Sequence, residues 1–184
     1  EPTLSPEAAK ALAGKLFNRT WELIDLAERT PEQELEMIHS AHASRLHWQN
    51  VGGPEQWAIG EWQCARVYCE VGFPEQGIFH AQACLELVEN NEVPVWLMAS
   101  AFEVLARSYW GAGDLDLAKL ARGRARQLIS KIEDAGERET IEAQVAELAR
   151  DLKEDRQVAP EALGVEEPLM VTSAAHVLEE PANR

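Results

Sequence analysis

Ala65-Arg66-Val67-Tyr68-Cys69-Glu70-Val71-Gly72-Phe73-Pro74-Glu75-Gln76-Gly77 is the stretch that decides the fold, because its framework returns further along the chain. Ala65, Tyr68, Gly72, Gly77, Cys84 and Leu87 reappear at one constant interval as Ala106, Tyr109, Gly113, Ala118, Ala125 and Leu128. A fainter copy lies one period earlier, where Trp62 falls on Trp21, His80 on His39 and Cys84 on Ala43. Periods of this length belong to stacked supersecondary units, none of which buries its apolar face alone. No stretch alternates in the manner of a strand. The expectation is therefore an all-α chain built as a right-handed stack of helical hairpins.

Helix starts are legible around that stretch. Ser5-Pro6-Glu7, Thr30-Pro31-Glu32, Gly53-Pro54-Glu55 and Phe73-Pro74-Glu75 each place proline where a helix begins and an acid directly after it. Proline at the first helical position loses no hydrogen bond, and the acid meets the positive end of the helix dipole. Thr30 with Gln33 fits a capping box. Val93-Pro94 and Gly113-Asp114 continue the series. This spacing predicts helices over about 6–28, 31–50, 54–71, 74–90, 94–111, 114–132 and 137–157, with Gly72 and Gly113 as the hairpin turns. The units read as 14–54, 55–95 and 96–136. The 137–157 helix is their cap, because its apolar stripe Ile141, Val145, Leu148 and Leu152 leaves the other face charged. Pro160, Gly164, Pro168, Pro181 and five glutamates make 158–184 read as an acidic tail.

Charge and composition exclude several classes. With 17 Lys and Arg against 32 Asp and Glu, the net charge of −15 repels phosphate backbones and anionic lipid surfaces. Nucleic-acid and membrane partners are therefore not expected. Cys64, Cys69 and Cys84 form no zinc spacing and suit a reducing compartment. No apolar run reaches transmembrane length and no basic-then-apolar leader is read, so the expected location is cytoplasmic. No group of residues has the types and spacing of a catalytic site. Gly52-Gly53 and Gly111-Ala112-Gly113 are turn glycines, not a phosphate loop. The chain is expected to be no enzyme and to need no cofactor.

The small residues at fixed points resemble the tetratricopeptide repeat. Ala65 and Ala106 take that family's small first-helix position, Tyr68 and Tyr109 its tyrosine, and Gly72 and Gly113 its turn glycine. Gly77 and Ala118 take its next small site, and Cys84 and Ala125 its last. The match covers residues 55–132, is faint over 14–54 and ends after 136. The period, which carries position 65 to 106, is longer than the family's unit of roughly 34 residues. The usual tryptophan is displaced to Trp62, and Arg122 occupies a normally apolar position. Stretches similar to His42-Ala-Ser-Arg-Leu-His47-Trp48 and Gly60-Glu61-Trp62 also occur in uncharacterised bacterial proteins of this type. The resemblance implies a non-enzymatic module that binds a protein or peptide segment in a concave groove. Carried over, the groove residues are Trp62, Gln63, Arg66, Cys69 and Glu70, then Glu103, Val104, Arg107 and Trp110.

Arg66 and Arg107 are repeat equivalents, and two guanidinium forks on one wall suit an acidic peptide. The alternative is internal pairing with Glu61, Glu70 or Glu103. The tail offers an internal ligand in Glu166-Glu167-Pro168-Leu169-Met170, docked on its own chain or on a second copy. His39 and His42 lie three apart on one helix and His80 is the repeat equivalent of His39, so these three are the candidate metal ligands of a small-ligand or metal-binding regulator. The alternative is core packing beside Leu35, Ile38 and Leu46. The six tryptophans read as core or groove, and Cys84, four residues after His80, reads as a small apolar contact rather than a nucleophile.

Overall fold

The computed structural model describes residues 4–154, with side chains placed to residue 148, and among these residues there are seven α-helices and no strand. They are α1 (Pro6–Ile24), α2 (Pro31–Val51), α3 (Pro54–Glu70), α4 (Pro74–Glu89), α5 (Val95–Gly111), α6 (Leu115–Ile129) and α7 (Ala135–Glu154). The segment read as an acidic tail lies outside the described residues.

The starts follow the local chemistry. The Ser5 hydroxyl accepts from the Ala8 N–H. Thr30 and Gln33 close the reciprocal capping box, at 3.3 Å and 2.9 Å. Gln56 reaches back to the Gly53 N–H, and the Asp114 carboxylate accepts from the Leu117 N–H. Each satisfies a donor that the first turn leaves unpaired.

The ends are less uniform. After α3, Gly72 adopts φ +77° and the Phe73 N–H reaches the Tyr68 carbonyl at 2.9 Å. After α5, Gly113 adopts φ +80° and the Asp114 N–H reaches the Tyr109 carbonyl at 2.9 Å. This closure needs a left-handed residue, which glycine adopts without strain. The α1 end differs. The helix expected to run to 28 stops at Ile24, and Arg29 turns back to donate to the Leu23 and Ile24 carbonyls.

Each helix packs on its chain neighbour: α1 on α2, α2 on α3, α3 on α4, α4 on α5, and α5 on α6. In addition α3 meets α5, and α7 lies against both α5 and α6. Small residues set the spacing. Ala58, Ala65, Ala81, Cys84, Ala101, Ala106, Ala118 and Ala125 are fully buried. A Cβ on Gly77 would meet Ser108 Oγ at 3.0 Å, so α4 sits almost backbone-to-backbone on its neighbours. Between these contacts, Leu97, Val104, Val88 and Leu148 form one core with Trp62. Ile129, Ile132, Ile141 and Val145 form a second beneath α7. Burying each of these large side chains is worth about 1.5–3 kcal/mol. No helix among the described residues is long and apolar enough to cross a membrane.

Candidate functional site

Trp21, Trp62, Glu103 and Gln144 recur at the repeat interval, one each on α1, α3, α5 and α7. Trp21 and Trp62 pack with ring centroids 5.5 Å apart, and Phe17 meets Trp21 edge-on at 6.5 Å. Beside them opens a cleft of about 560 Å³ lined from α1, α2, α3, α5 and α7. Its walls are Phe17, Trp21, Trp48, Ile59, Trp62, Trp96, Leu97 and Ile141, with Gln56, Ser100, Glu137, Thr140 and Gln144 as the polar members. The volume falls within the roughly 300–1,000 Å³ typical of ligand sites.

Most of this lining's polar groups are already used. Gln56 caps α3, the Ser100 hydroxyl donates to the Trp96 carbonyl, and the Thr140 hydroxyl donates to the Gly136 carbonyl. Two solvent-shielded atoms of these residues, Trp62 Nε1 and Gln144 Oε1, have no hydrogen-bond partner among the described residues. Such groups cost free energy when left unpaired.

The sequence-predicted groove residues are distributed differently from expectation. Of that set only Trp62 lines the cleft. Gln63 is fully buried and donates to the Phe17 carbonyl at 3.0 Å, tying α3 to α1. Glu103 is fully buried, and Arg107 nearly so. Arg107 donates to Glu103 Oε1 from Nε and Nη2, at 3.0 Å and 2.7 Å, and to Glu147 on α7 at 3.3 Å. Burial alone would lower the Arg107 pKa, but the Glu103 and Glu147 carboxylates raise it above its ordinary value. Arg66 pairs with Glu70 at 2.9 Å, and Glu70 also takes Arg29 from the α1–α2 loop at 3.2 Å. The pair of arginines expected to hold an acidic peptide is thus spent internally. Their partners are the internal ones given as the alternative, Glu70 and Glu103, each four residues away on the same helix, and Glu147 of α7 adds a second carboxylate to Arg107.

The histidines are brought together in part. His42 Nε2 and the Tyr68 hydroxyl are 3.0 Å apart, and His80 Nδ1 pairs with Glu61 Oε2 at 2.7 Å. The other Glu61 oxygen accepts from Arg45 Nε at 2.8 Å. The His42 and His80 rings lie 5.1 Å apart, and Tyr68 stacks on His80. Burial first, then His80 and His39, hold the His42 pKa below its ordinary value, against the pull of Glu61. Burial pushes the Glu61 carboxyl upward, but His80 and Arg45 bring it below the usual carboxylate range. His39 is exposed and does not join. Among the described residues no three His, Cys, Asp or Glu side chains are grouped to hold a metal ion. The His39, His42 and His80 set offered as an alternative metal site is not assembled among the described residues; His42 and His80 instead join a hydrogen-bonded junction of α2, α3 and α4. A Cβ on Gly60 would meet Arg45 Cδ at 2.5 Å, so glycine is what lets Arg45 reach Glu61.

The cysteines are free thiols. Burial pushes Cys64 and Cys84 far above their ordinary pKa, and Cys69 upward despite its contact with Ser108 at 3.3 Å. These are properties of packed apolar residues, not of nucleophiles.

Sequence reasoning read all six tryptophans as core or groove without placing Trp48 and Trp96 on this cleft, and it missed Ile59 and the α7 residues. The period carried one step further, from Glu103 to Gln144, would have pointed to α7. The chain matches no family model, no curated protein and no solved structure.

Proposed function

We propose that this chain is a non-enzymatic interaction module: a right-handed, tetratricopeptide-like stack of three hairpins and a capping helix. In this reading a protein or peptide segment lies on the face formed by α1, α3, α5 and α7 and seats an apolar side chain in the cleft. One observation carries it, the about 560 Å³ cleft walled by Trp21, Trp48, Trp62 and Trp96. Aromatic walls supply large contact area at small entropic cost, which is why they anchor partners. The partner is a protein and not a nucleic acid, since the chain has a net charge of −15. The cysteines, all unpaired, fit a reducing, cytoplasmic setting.

One candidate segment belongs to the chain itself. Leu169-Met170-Val171-Thr172-Ser173-Ala174-Ala175 is an uncharged apolar stretch within the region outside the described residues, and it would dock in cis or in a second copy. The test is a tryptophan-emission titration of a chain ending at Arg156 with a synthetic peptide of residues 168–175, which contains no tryptophan. Light-scattering mass of the full and shortened chains is measured alongside. Saturable change in emission supports the reading, and a drop in mass on truncation identifies docking in trans. No change with this peptide excludes the self-ligand, and no change with any apolar peptide refutes the cleft as the binding face.

A further inference from the structure

The basic residues are unevenly placed. Residues 117–132 carry Lys119, Arg122, Arg124, Arg126 and Lys131 and no Asp or Glu, in a chain of net charge −15. Before α6, Arg19, Arg29, Arg45, Arg66 and Arg107 each pair with a carboxylate. On α6 that pattern stops. Arg124 donates to the Gln127 side-chain oxygen at 3.0 Å, and among the described residues no carboxylate pairs with Arg122, Arg124 or Arg126. Lys119 reaches Asp116 at 3.5 Å, an exposed contact of the kind that holds weakly. Beside these charges α6 exposes leucine: Leu120 is 71% exposed and Leu117 39%. Both line a groove of about 600 Å³ between α5 and α6, together with Phe102, Leu105, Lys119 and Arg124 and, among the described residues, no acid. The pocket between α6 and α7 does hold an acid, Glu142. The α5–α6 groove therefore suits a segment that is apolar and anionic at once.

We propose that Glu161-Ala162-Leu163-Gly164-Val165-Glu166-Glu167 of the same chain docks in this groove, with Leu163 and Val165 against Leu117 and Leu120 and its glutamates beside Lys119 and Arg124. The segment has three glutamates, two branched apolar residues and no base, so it complements the groove in both charge and hydropathy. It is within reach. The chain leaves α7 at Glu154, α7 packs on α6, and the residues from there to Leu163 can span up to about 30 Å, more than the length of α6, about 22 Å. A tether of this kind holds a segment at an effective concentration on the order of millimolar. Nucleic acids and anionic bilayers meet the net negative charge of the whole chain, whereas a short segment meets the charges within a Debye length of about 8 Å. The contact lies beyond the tryptophan cleft and uses none of residues 168–175, so it does not depend on the cleft reading.

Zero-length carbodiimide coupling of the full chain, read by peptide mass mapping, tests this, because it joins a lysine amine to a carboxylate in contact with it. Within monomeric protein, Lys119 is expected to link to Glu161, Glu166 or Glu167 several-fold more than the exposed Lys10 and Lys15 do. Arg124→Glu, and Leu163→Ser combined with Val165→Ser, keep every coupling group and are each expected to cut that yield several-fold with the helical melt unchanged. Salt near 1 M, which shortens screening to about 3 Å, is expected to do the same. Equal coupling at Lys119, Lys10 and Lys15, or coupling indifferent to both variants, would overturn the docking. Lys119 links found only in covalent dimers would overturn the contact within one chain and give the groove to a second copy's segment. Arg124-dependent sedimentation with phosphatidylserine vesicles would overturn it in favour of a lipid surface. The variants leave the cleft residues and residues 168–175 unaltered, so this mapping and the tryptophan titration fail separately.

Discussion

The α3–α4 and α5–α6 hairpins close with the same turn, glycine at positive φ and the same backbone bond, yet they hold opposite chemistry at equivalent positions. Against α2, the first hairpin presents Glu61, Tyr68 and His80 to Arg45 and His42, and the result is a hydrogen-bonded polar junction. One period later these positions are Phe102, Tyr109, Ala121, Glu86 and Ala83, and Phe102, Tyr109 and Ala121 line a pocket of about 600 Å³ whose charged members are Lys119 and Arg124. Arg66 and Arg107 diverge as well: one pairs near the surface with Glu70, the other is buried with Glu103 beneath α7. A repeating backbone thus imposes spacing and turns but leaves each junction free to carry its own side-chain chemistry.

The largest test of that contrast is the arginine pair. Arg107→Ala strands the buried Glu103 carboxylate and is expected to cost about 3–5 kcal/mol, whereas Arg66→Ala, with its partner near solvent, is expected to cost about 1 kcal/mol or less. Urea midpoints at constant m-value measure both. Similar costs would mean that α7 does not cover Arg107.

Gly60 and its equivalent Ala101 come next. Gly60→Ala drives a methyl into Arg45 and should cost about 1–3 kcal/mol through overpacking, with loss of the Arg45–Glu61 pair. Ala101→Gly, at a fully buried helical site, is expected to cost about 1 kcal/mol. Thermal melts distinguish the two.

The turn glycines sharpen the comparison from the other side. Gly72→Ala and Gly113→Ala should each lose about 1–2 kcal/mol for the left-handed conformation, and agree within about 0.5 kcal/mol. A marked difference would show that the two turns are not energetically the same motif.

The smallest effect is in pH. His42 has a folded pKa below its ordinary 6.5, so the unfolded chain binds the proton more readily. Its stabilising contribution is fully present above about 6.5 and is lost as pH falls toward the folded value. The melting temperature should therefore fall between about pH 7 and about pH 5.5. His42→Gln, which retains a partner for the Tyr68 hydroxyl, should flatten that decline. Ala83→Gln at the equivalent position of the second hairpin should not alter it.

Much of the frame was legible because it rests on interactions a few residues long. Proline at the first helical position, Thr30 with Gln33, and Gly72 and Gly113 at positive φ are decided by backbone sterics and first-turn hydrogen bonds. These depend little on what packs above them. The exception, α1, shows the limit: its end was misplaced because Arg29, beyond the helix, supplies the terminal hydrogen bonds.

The site was much less legible. Trp62 was recognised, but Arg66, Arg107, Gln63 and Glu103 were assigned to an open wall that the tertiary structure closes. A sequence period says which residues are equivalent, not which equivalents another helix will cover. Both arginines pair with a carboxylate four residues away on their own helix, as the alternative reading had it; α7 then covers Arg107 and adds Glu147, while Arg29 of the 25–30 loop shares Glu70 with Arg66. His42 met His80 and Tyr68, and His39 stayed outside, because three helices converge at one point and a fourth position on α2 faces away. The sequence by itself determined where the helices start and turn, through short-range sterics and capping. The tertiary structure decided burial, the ion pairs between helices and the cleft, because those depend on desolvation and on contacts between residues far apart in the chain, as between Phe17 and Gln63 or Arg107 and Glu147.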